Sequence, residues 1–233
     1  SLNSDHPNYT PGHDLDDYIR LGKVLRSYGL RVPDVYEYDL NARICLIEDI
    51  GEMTYIKALN SGYSNETLTH KAAKVLKEIQ KIPSHGLPDF MSSHVMKGHK
   101  RFVDWYCPLL LGKQVDTLMI GSFLDVWDQI FNDLPRAEKG FVYLDFHFGN
   151  LMLAENSEKE NGFETVLLDF QGAMRGPLSY DLTNLLQDAR RDVSEDLHES
   201  VFAEMVENLK AEEKDVFELW YNVLACQFHC RVI

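Results

Sequence analysis

Long apolar runs are missing from this 233-residue sequence. A membrane-spanning helix needs about 18 or more consecutive apolar residues, and no segment of that kind occurs. The first 13 residues are polar and lack the basic stretch followed by an apolar one that marks a signal peptide. We therefore expect a soluble protein that is not exported and that resides in the cytoplasm.

Cysteine is also scarce, with only Cys45, Cys107, Cys226 and Cys230 in the chain. No two of them form a C-x-x-C pair, and no histidine lies at a spacing typical of a zinc site. Cys226 and Cys230 would lie one turn apart on a helix, where we expect buried free thiols. A small number of free cysteines fits a protein of a reducing compartment.

Basic residues are outnumbered, since 23 Lys and Arg stand against 37 Asp and Glu, for a net charge of -14. A field of this sign repels nucleic acids and anionic lipids. We therefore expect neither a nucleic-acid nor a membrane partner. An acidic excess also keeps a protein soluble, so it does not by itself identify a cationic substrate.

Apolar residues are plentiful, at 45% of the sequence with 11% aromatic, enough for one large domain or two unequal lobes. Apolar periodicity and turn residues predict the secondary structure. The predicted helices are 14–28, 64–82, parts of 97–118, 122–134, 180–192, 195–210 and 212–233. The predicted strands are 35–38, 44–47, 141–144, 151–153 and 165–168, the last two joined as a hairpin by the polar turn 155–162.

The candidate catalytic and metal-binding residues are Asp145, Asn150 and Asp169. An Asp followed five residues later by Asn, in a loop after a strand, can supply a base and a metal ligand, and the hairpin then returns a second Asp to the same place. Each residue alone is more often a turn former. Together they match the D-x-x-x-x-N and D-F-x pattern of kinases, which predicts phosphoryl transfer.

The Asp145–Asn150 loop together with Asp169-Phe170 resembles the aminoglycoside phosphotransferase and choline kinase superfamily. The segment Leu167-Leu168-Asp169-Phe170-Gln171-Gly172-Ala173, followed by Tyr180-Asp181-Leu182, is similar to one bacterial branch of that superfamily. Within it, the sequence is most similar to the bacterial cell-wall amino-sugar kinases. The resemblance implies an α+β, protein-kinase-like fold, with a small incomplete N-terminal lobe at 1–50 and a larger, mainly helical lobe at 51–233. It also implies ATP and Mg²⁺ as cofactors and a small-molecule hydroxyl acceptor, such as a sugar.

The resemblance further implies that Asp145 is the catalytic base and that Asn150 and Asp169 are Mg²⁺ ligands. His147 falls where the family places a residue near the transferred phosphate, although a loop-stabilising histidine is an equally good interpretation. Tyr143 stands where the family usually has histidine.

Three further features follow from the same resemblance. Glu48 and Ile50 fall in the segment between the lobes, where backbone groups would contact adenine. Asp181 would brace the catalytic loop from the start of a helix. Arg190 and Arg191 could bind anionic groups, but arginines in the last turn of a helix are more often solvated.

A glycine-rich loop and a strand lysine, which grip the phosphates in kinases, are not visible in the sequence. We therefore expect that the sequence lacks the start of its parent protein. Because 225–233 is similar to a family helix that should continue, we expect that it lacks the end as well. Three hypotheses remain: an amino-sugar kinase, a kinase of aminoglycosides or other cationic alcohols, and a nucleotide-binding pseudokinase without activity.

Overall fold

The computed structural model describes residues 14–95, 98, 100–156 and 162–232. The polar start of the chain and the centre of the predicted turn at 155–162 lie outside the described residues. Where the turn is described, the Asn156 N–H donates to the Gly162 carbonyl at 2.8 Å, so the two strands of the predicted hairpin do approach each other.

The first described elements are a helix and a hairpin, as predicted. Helix α1, Leu15–Ser27, begins at Asp14, whose carboxylate accepts from the Leu15 N–H at 2.8 Å and caps the helix. It ends before Gly29, which has a φ of 75°. Strands β1, Val35–Asp39, and β2, Ile44–Ile47, then pair antiparallel.

Two helices follow the hairpin. Helix α2, Tyr55–Asn60, was not predicted, because six residues are too few to show helical periodicity; its Thr54 hydroxyl caps the Lys57 N–H at 3.1 Å. Helix α3, Asn65–Ile79, is capped by Ser64, one of the two predicted candidates with Asn65, and ends three residues before the predicted 82.

The middle of the chain is helical in short pieces. π-helical turns cover Met91–Val95 and Phe102–Tyr106, and α4 covers Cys107–Leu111. Helix α5 spans Thr117–Asp133, so the predicted start at 122 was wrong. The Asp116 carboxylate caps the Leu118 N–H at 2.8 Å and lets the helix begin earlier, and Gly121 is accommodated inside it.

Two more antiparallel pairs form the remaining strands. Strand β3, Lys139–Val142, pairs with β6, Met174–Pro177, and β4, Leu151–Glu155, pairs with β5, Phe163–Leu167. The β4–β5 hairpin was predicted. Strand β6 was not, because its sequence Met-Arg-Gly-Pro contains residues that are disfavoured in strands.

The C-terminal helices are α6, Ser179–Leu186, α7, Glu195–Val206, and α8, Ala211–Val232. Every residue of α6 is buried. The helix predicted at 180–192 ends at Leu186, because the Asp188 carboxylate accepts from the Arg190 N–H at 3.2 Å and turns the chain. Arg190 and Arg191 therefore lie in the turn after α6, and their predicted place in its last turn was wrong.

The main core joins helices and strands from both ends of the described chain, including Leu21 and Leu25 of α1 and Tyr221 of α8. Tyr18 of α1 stacks on Phe170 with ring centroids 4.7 Å apart, and a Cβ on Gly22 would lie 3.3 Å from the same ring. Helix α1 therefore packs directly on the segment that follows Asp169. The division of the chain near residue 50 stays a prediction.

The burial of the cysteines differs from the prediction. All four cysteines are free, but on α8 Cys226 is exposed and Cys230 is only partly buried, so their predicted burial was wrong. No helix among the described residues is long and apolar enough to cross a membrane. On the β1–β2 hairpin, Ile44 is 65% and Leu46 59% exposed.

We expect Gly176→Ala to destabilise the fold. A Cβ at position 176 would lie 2.6 Å from Phe90 Cβ and 2.9 Å from its Cγ, atoms that cannot move without shifting the buried ring. Overpacking of this kind typically costs about 1–3 kcal/mol. Thermal and urea unfolding followed by circular dichroism would measure the loss.

Gly121→Ala is the matched control, because nothing lies within 4 Å of its added Cβ on α5. Alanine favours a helix over glycine by up to about 1 kcal/mol, so this variant should be unchanged or slightly more stable. Equal stability of the two variants would contradict the packing described at Gly176.

Candidate active site

Directly after β3, two consecutive backbone N–H groups donate hydrogen bonds to a single carboxylate. Asp181, in the first turn of α6 and 2% exposed, accepts from the Tyr143 N–H at 2.6 Å and from the Leu144 N–H at 3.0 Å. The burial raises the pKa of Asp181 to about 7, although both N–H donors act to lower it. This carboxyl therefore braces the loop from the helix, as the sequence predicted.

Leu144 adopts an uncommon conformation directly before Asp145. Its φ is 85°, a left-handed value that costs a branched residue about 1–3 kcal/mol when it is not supported. Two hydrogen bonds support it: its N–H donates to Asp181, and its carbonyl accepts from Asn184 Nδ2 at 2.6 Å. The turn thus directs the chain out of β3, and the half-buried Asp145 begins the loop.

The loop from Asp145 to Asn150 is closed by its own hydrogen bonds. The Asp145 carbonyl accepts from the His147 N–H at 3.1 Å and from Asn150 Nδ2 at 3.0 Å. The Asn150 N–H in turn donates to the His147 carbonyl at 2.9 Å, within a 3₁₀ turn at Phe148–Asn150. Asn150 is therefore held beside the backbone of Asp145, five residues before it in sequence.

The β4–β5 hairpin brings the third predicted residue to the same place. Its ladder pairs Leu151 with Leu167, and the Leu168 N–H donates to the Asn150 carbonyl at 2.9 Å. Asp169 follows, exposed and with a φ of 61°, and its Oδ1 accepts from Gln171 Nε2 at 2.6 Å. The structure thus brings Asn150 and Asp169 to the same end of one hairpin.

Tyr143 lies where these segments meet. Its hydroxyl donates a hydrogen bond to the carbonyl of Leu168, so it ties the end of β3 to the residue before Asp169. Burial raises its pKa well above the ordinary value, and the charges of Asp169, Asp181 and Asp145 raise it further. Tyr143 is therefore neutral and lies among three carboxylates. The sequence did not reveal that it joins these two segments.

His147 is half-buried in the loop. Its Nδ1 accepts from the Gly149 N–H at 3.1 Å, and its Nε2 lies 3.2 Å from Arg190 Nη1 and 3.4 Å from Asn150 Nδ2. Burial lowers the pKa of His147, and the charge of Arg190 lowers it further. The ring is therefore neutral at neutral pH, and it stabilises the loop through Gly149.

The two arginines after α6 have different environments. Arg190 is 54% exposed and donates from Nε to the buried carboxylate of Asp188 at 2.7 Å. Arg191 lies 3.9 Å above the ring of Phe148 and donates to Asn65 Oδ1 at 2.8 Å; burial lowers its pKa to about 10. Arg191 is thus a packing residue, whereas Arg190 faces the Asp145–Asn150 loop.

The predicted adenine-contacting residues lie on the linker that follows β2. The Glu48 carboxylate pairs with Arg31 and accepts from the Asp34 N–H at 3.1 Å, and the hydrogen bond from Arg31 lowers its pKa. The linker passes through Ile50 to Met53, whose carbonyl accepts from the Leu153 N–H at 2.8 Å. It is therefore anchored on the hairpin that carries Asn150 and Asp169.

The donor set fits Mg²⁺ better than a transition metal. Asn150 and Asp169 offer amide and carboxylate oxygens, the ligands that Mg²⁺ prefers. Elsewhere in the described ranges, no three His, Cys, Asp or Glu side chains converge as a metal cage. Mg²⁺ is usually held by one or two carboxylates together with phosphates and water, so two protein ligands are compatible with it.

Known proteins resemble this chain in sequence and in fold. The model of a family described as "Phosphotransferase enzyme family" matches residues 6–215. An N-acetylmuramate/N-acetylglucosamine kinase of Pseudomonas aeruginosa is 29% identical over 77% of this chain and 51% of its own length. Its namesake from Neisseria meningitidis is 26% identical over 92% of this chain and 65% of its own. The chain thus spans about half to two thirds of these relatives.

A solved structure supports the fold. A choline kinase from Streptococcus pneumoniae superposes with a TM-score of 0.60 at 14% identity, covering 93% of this chain and 71% of that one. At this identity the likeness concerns the fold alone. The predicted α+β, protein-kinase-like fold and the predicted superfamily are both confirmed.

We expect Asp181 to make stability depend on pH. Its folded pKa of about 7 exceeds the ordinary 3.8, so the folded state binds more protons than the unfolded state between these values. Its contribution to stability is therefore fully present below the lower pKa and is lost as the pH rises through the higher one. Asp181→Asn keeps the shape of the side chain but cannot titrate.

The free energy of unfolding of both proteins, from urea titrations between about pH 5 and about pH 8, would measure this effect. The difference between them should shift in favour of Asp181→Asn as the pH rises, and should level off above the pKa of Asp181. A difference that is the same at every pH would contradict the raised pKa.

Proposed function

The chain belongs to the phosphotransferase enzyme family, and on this basis we propose that it is a small-molecule kinase, which transfers the γ-phosphoryl group of ATP to a hydroxyl of an amino sugar. The observation that supports this most is the 2.9 Å hydrogen bond from the Leu168 N–H to the Asn150 carbonyl. It joins the two segments that carry the kinase-like residues into one site.

Asp145 is the proposed base. The oxygen of the acceptor hydroxyl forms a bond to the γ-phosphorus, while the bond between that phosphorus and the β,γ-bridging oxygen breaks. The electron pair of the broken bond stays on ADP, and the hydroxyl proton passes to the Asp145 carboxylate. The two hydrogen bonds that the Asp145 carbonyl accepts hold its backbone in place for this step.

Asn150 and Asp169 are the side chains that would hold Mg²⁺, which supplies positive charge against the phosphate oxygens. Asn150 uses Nδ2 to bond the Asp145 carbonyl, so its amide oxygen is the atom that we assign to the cation. Asp169 uses Oδ1 to accept from Gln171, so Oδ2 is the oxygen that we assign there.

The remaining roles concern the nucleotide and the two lobes. The Glu48 side chain is engaged by Arg31, so any contact with adenine would involve the backbone of Glu48 and Ile50. We propose residues 1–50 as part of a small N-terminal lobe and 51–233 as the larger lobe, with the nucleotide bound between them. His147 would lie near the transferred phosphate.

N-acetylmuramate and N-acetylglucosamine are the acceptors that we propose, because the similar curated kinases carry these names. The presence of a base and of both proposed metal ligands favours an active enzyme over a pseudokinase. ATP consumption by the purified full-length protein with each sugar, and with an aminoglycoside for comparison, tests the assignment. No sugar-dependent ATP consumption would contradict it.

Asp145→Asn should reduce kcat by about 10²–10⁴, the usual contribution of a general base, while Mg²⁺-ATP still binds. Steady-state kinetics and calorimetry would separate the two effects. Asp125→Asn, an exposed position on α5, is the matched control and should keep full activity. A loss of less than tenfold for Asp145→Asn would count against the base.

Asp169→Asn should instead weaken the binding of Mg²⁺-ATP, because it removes a charged ligand of the cation. Calorimetric titration with ATP in the presence of Mg²⁺, compared with Asp145→Asn, would measure the difference. Equal affinities in the two variants would mean that Asp169 does not hold the metal.

A further inference from the structure

Three N–H groups converge beside the Asp145–Asn150 loop. Because His147 Nδ1 accepts from the Gly149 N–H, the ring N–H lies on Nε2. The groups nearest to Nε2 are Arg190 Nη1 at 3.2 Å and Asn150 Nδ2 at 3.4 Å, and both are donors. Asn150 Nδ2 also donates to the Asp145 carbonyl at 3.0 Å, which uses one of its two hydrogens. Donors this close together favour an acceptor beside them, such as an oxygen of an anion.

Arg190 is held in this position from behind. Its Nε donates to Asp188 Oδ1 at 2.7 Å, and the same oxygen accepts the Arg190 N–H at 3.2 Å. The Asp188 side chain is only 1% exposed, so its own position is fixed by packing. An anchored guanidinium presents its remaining donors in a planar fork that matches the oxygens of phosphate or carboxylate.

The position of this fork indicates which anion it would bind. His147 is two residues from the proposed base, and Asn150 is one of the proposed metal ligands. The transferred phosphoryl group would have to lie between those residues, and negative charge on its oxygens must be stabilised during transfer. Arg191 cannot serve, because it is stacked on Phe148 and bonded to Asn65.

We propose that Arg190 is a further catalytic residue, whose guanidinium, together with the His147 and Asn150 N–H groups, binds oxygens of the phosphoryl group in transfer. The proposal rests on the proposed kinase function and adds a residue to it. Asp188 is then a positioning residue, which acts through Arg190. The same chemistry could serve a carboxylate, and N-acetylmuramate has one that N-acetylglucosamine lacks, so the two acceptors separate these sources.

Arg190→Ala and Arg190→Lys, made in the full-length protein, test this with both sugars. Removing one preorganised donor typically lowers kcat by about 10²–10³, and we expect that loss for Arg190→Ala on both sugars, with little change in either KM. Arg190→Lys should recover only part, because lysine lacks the fork. Arg20→Ala, on the exposed face of α1, is the control and should behave as the parent.

A second measurement needs no acceptor. Calorimetry would compare the binding of Mg²⁺-ADP with that of Mg²⁺-ADP and aluminium fluoride, which imitates the phosphoryl group in transfer. Arg190→Ala should keep the affinity for Mg²⁺-ADP and lose most of the gain that fluoride gives the parent. This arm can be interpreted even if neither sugar is phosphorylated, so a failure of the proposed acceptor is distinguishable from a failure of this inference.

Two results would overturn the proposal. An undiminished fluoride-dependent gain in Arg190→Ala would show that the guanidinium does not contact the phosphoryl group. A loss confined to KM for N-acetylmuramate, with N-acetylglucosamine unaffected, would assign Arg190 to the acceptor's carboxylate instead. Asp188→Asn should reproduce a milder form of the Arg190→Ala loss in kcat and not a rise in KM.

Discussion

The pair of hydrogen bonds that the Asp181 carboxylate accepts is the interaction on which the candidate site depends. Tyr143 and Leu144 follow the last residue of β3, and both are buried. Without Asp181 their N–H groups would be left unpaired. With that support, Leu144 can keep its positive φ and direct the chain into the loop. The position of Asp145 is therefore decided by a side chain from α6 rather than by the loop alone.

Buried aromatic residues alternate with partly buried polar residues along the loop. Phe146 and Phe148 are fully buried, whereas Asp145 and His147 between them are only partly buried. The buried aromatic rings hold the backbone of the loop in place, so the polar side chains between them are already positioned at the site. Phe170 repeats this arrangement after the exposed Asp169, because it stacks on Tyr18 of α1.

This arrangement concentrates negative charge. The charges of Asp145, Asp169 and Asp181 all act on the buried Tyr143, and Asp188 acts on His147 nearby. Like charges gathered in this way oppose stability and are typical of functional sites, where a cation or a charged ligand completes the balance. Arg190 supplies one positive group at the edge of the cluster, and the proposed metal would supply the other.

The sequence by itself determined most of the local structure and identified the residues of the candidate site. Turn residues and short apolar runs predicted the loop and the hairpin, because they encode local pairing. The kinase-like fold was predicted from the resemblance that Asp145, Asn150 and Asp169-Phe170 carry. Strand β6 escaped prediction because its pairing with β3 outweighs the poor strand propensity of Met-Arg-Gly-Pro. The end of α6 at Leu186 came from a local bond, from the Arg190 N–H to the Asp188 carboxylate, which the apolar pattern did not show. Only the tertiary structure placed Arg190 beside His147, 43 residues away in sequence, because that contact requires the packing of α6 against the end of β3.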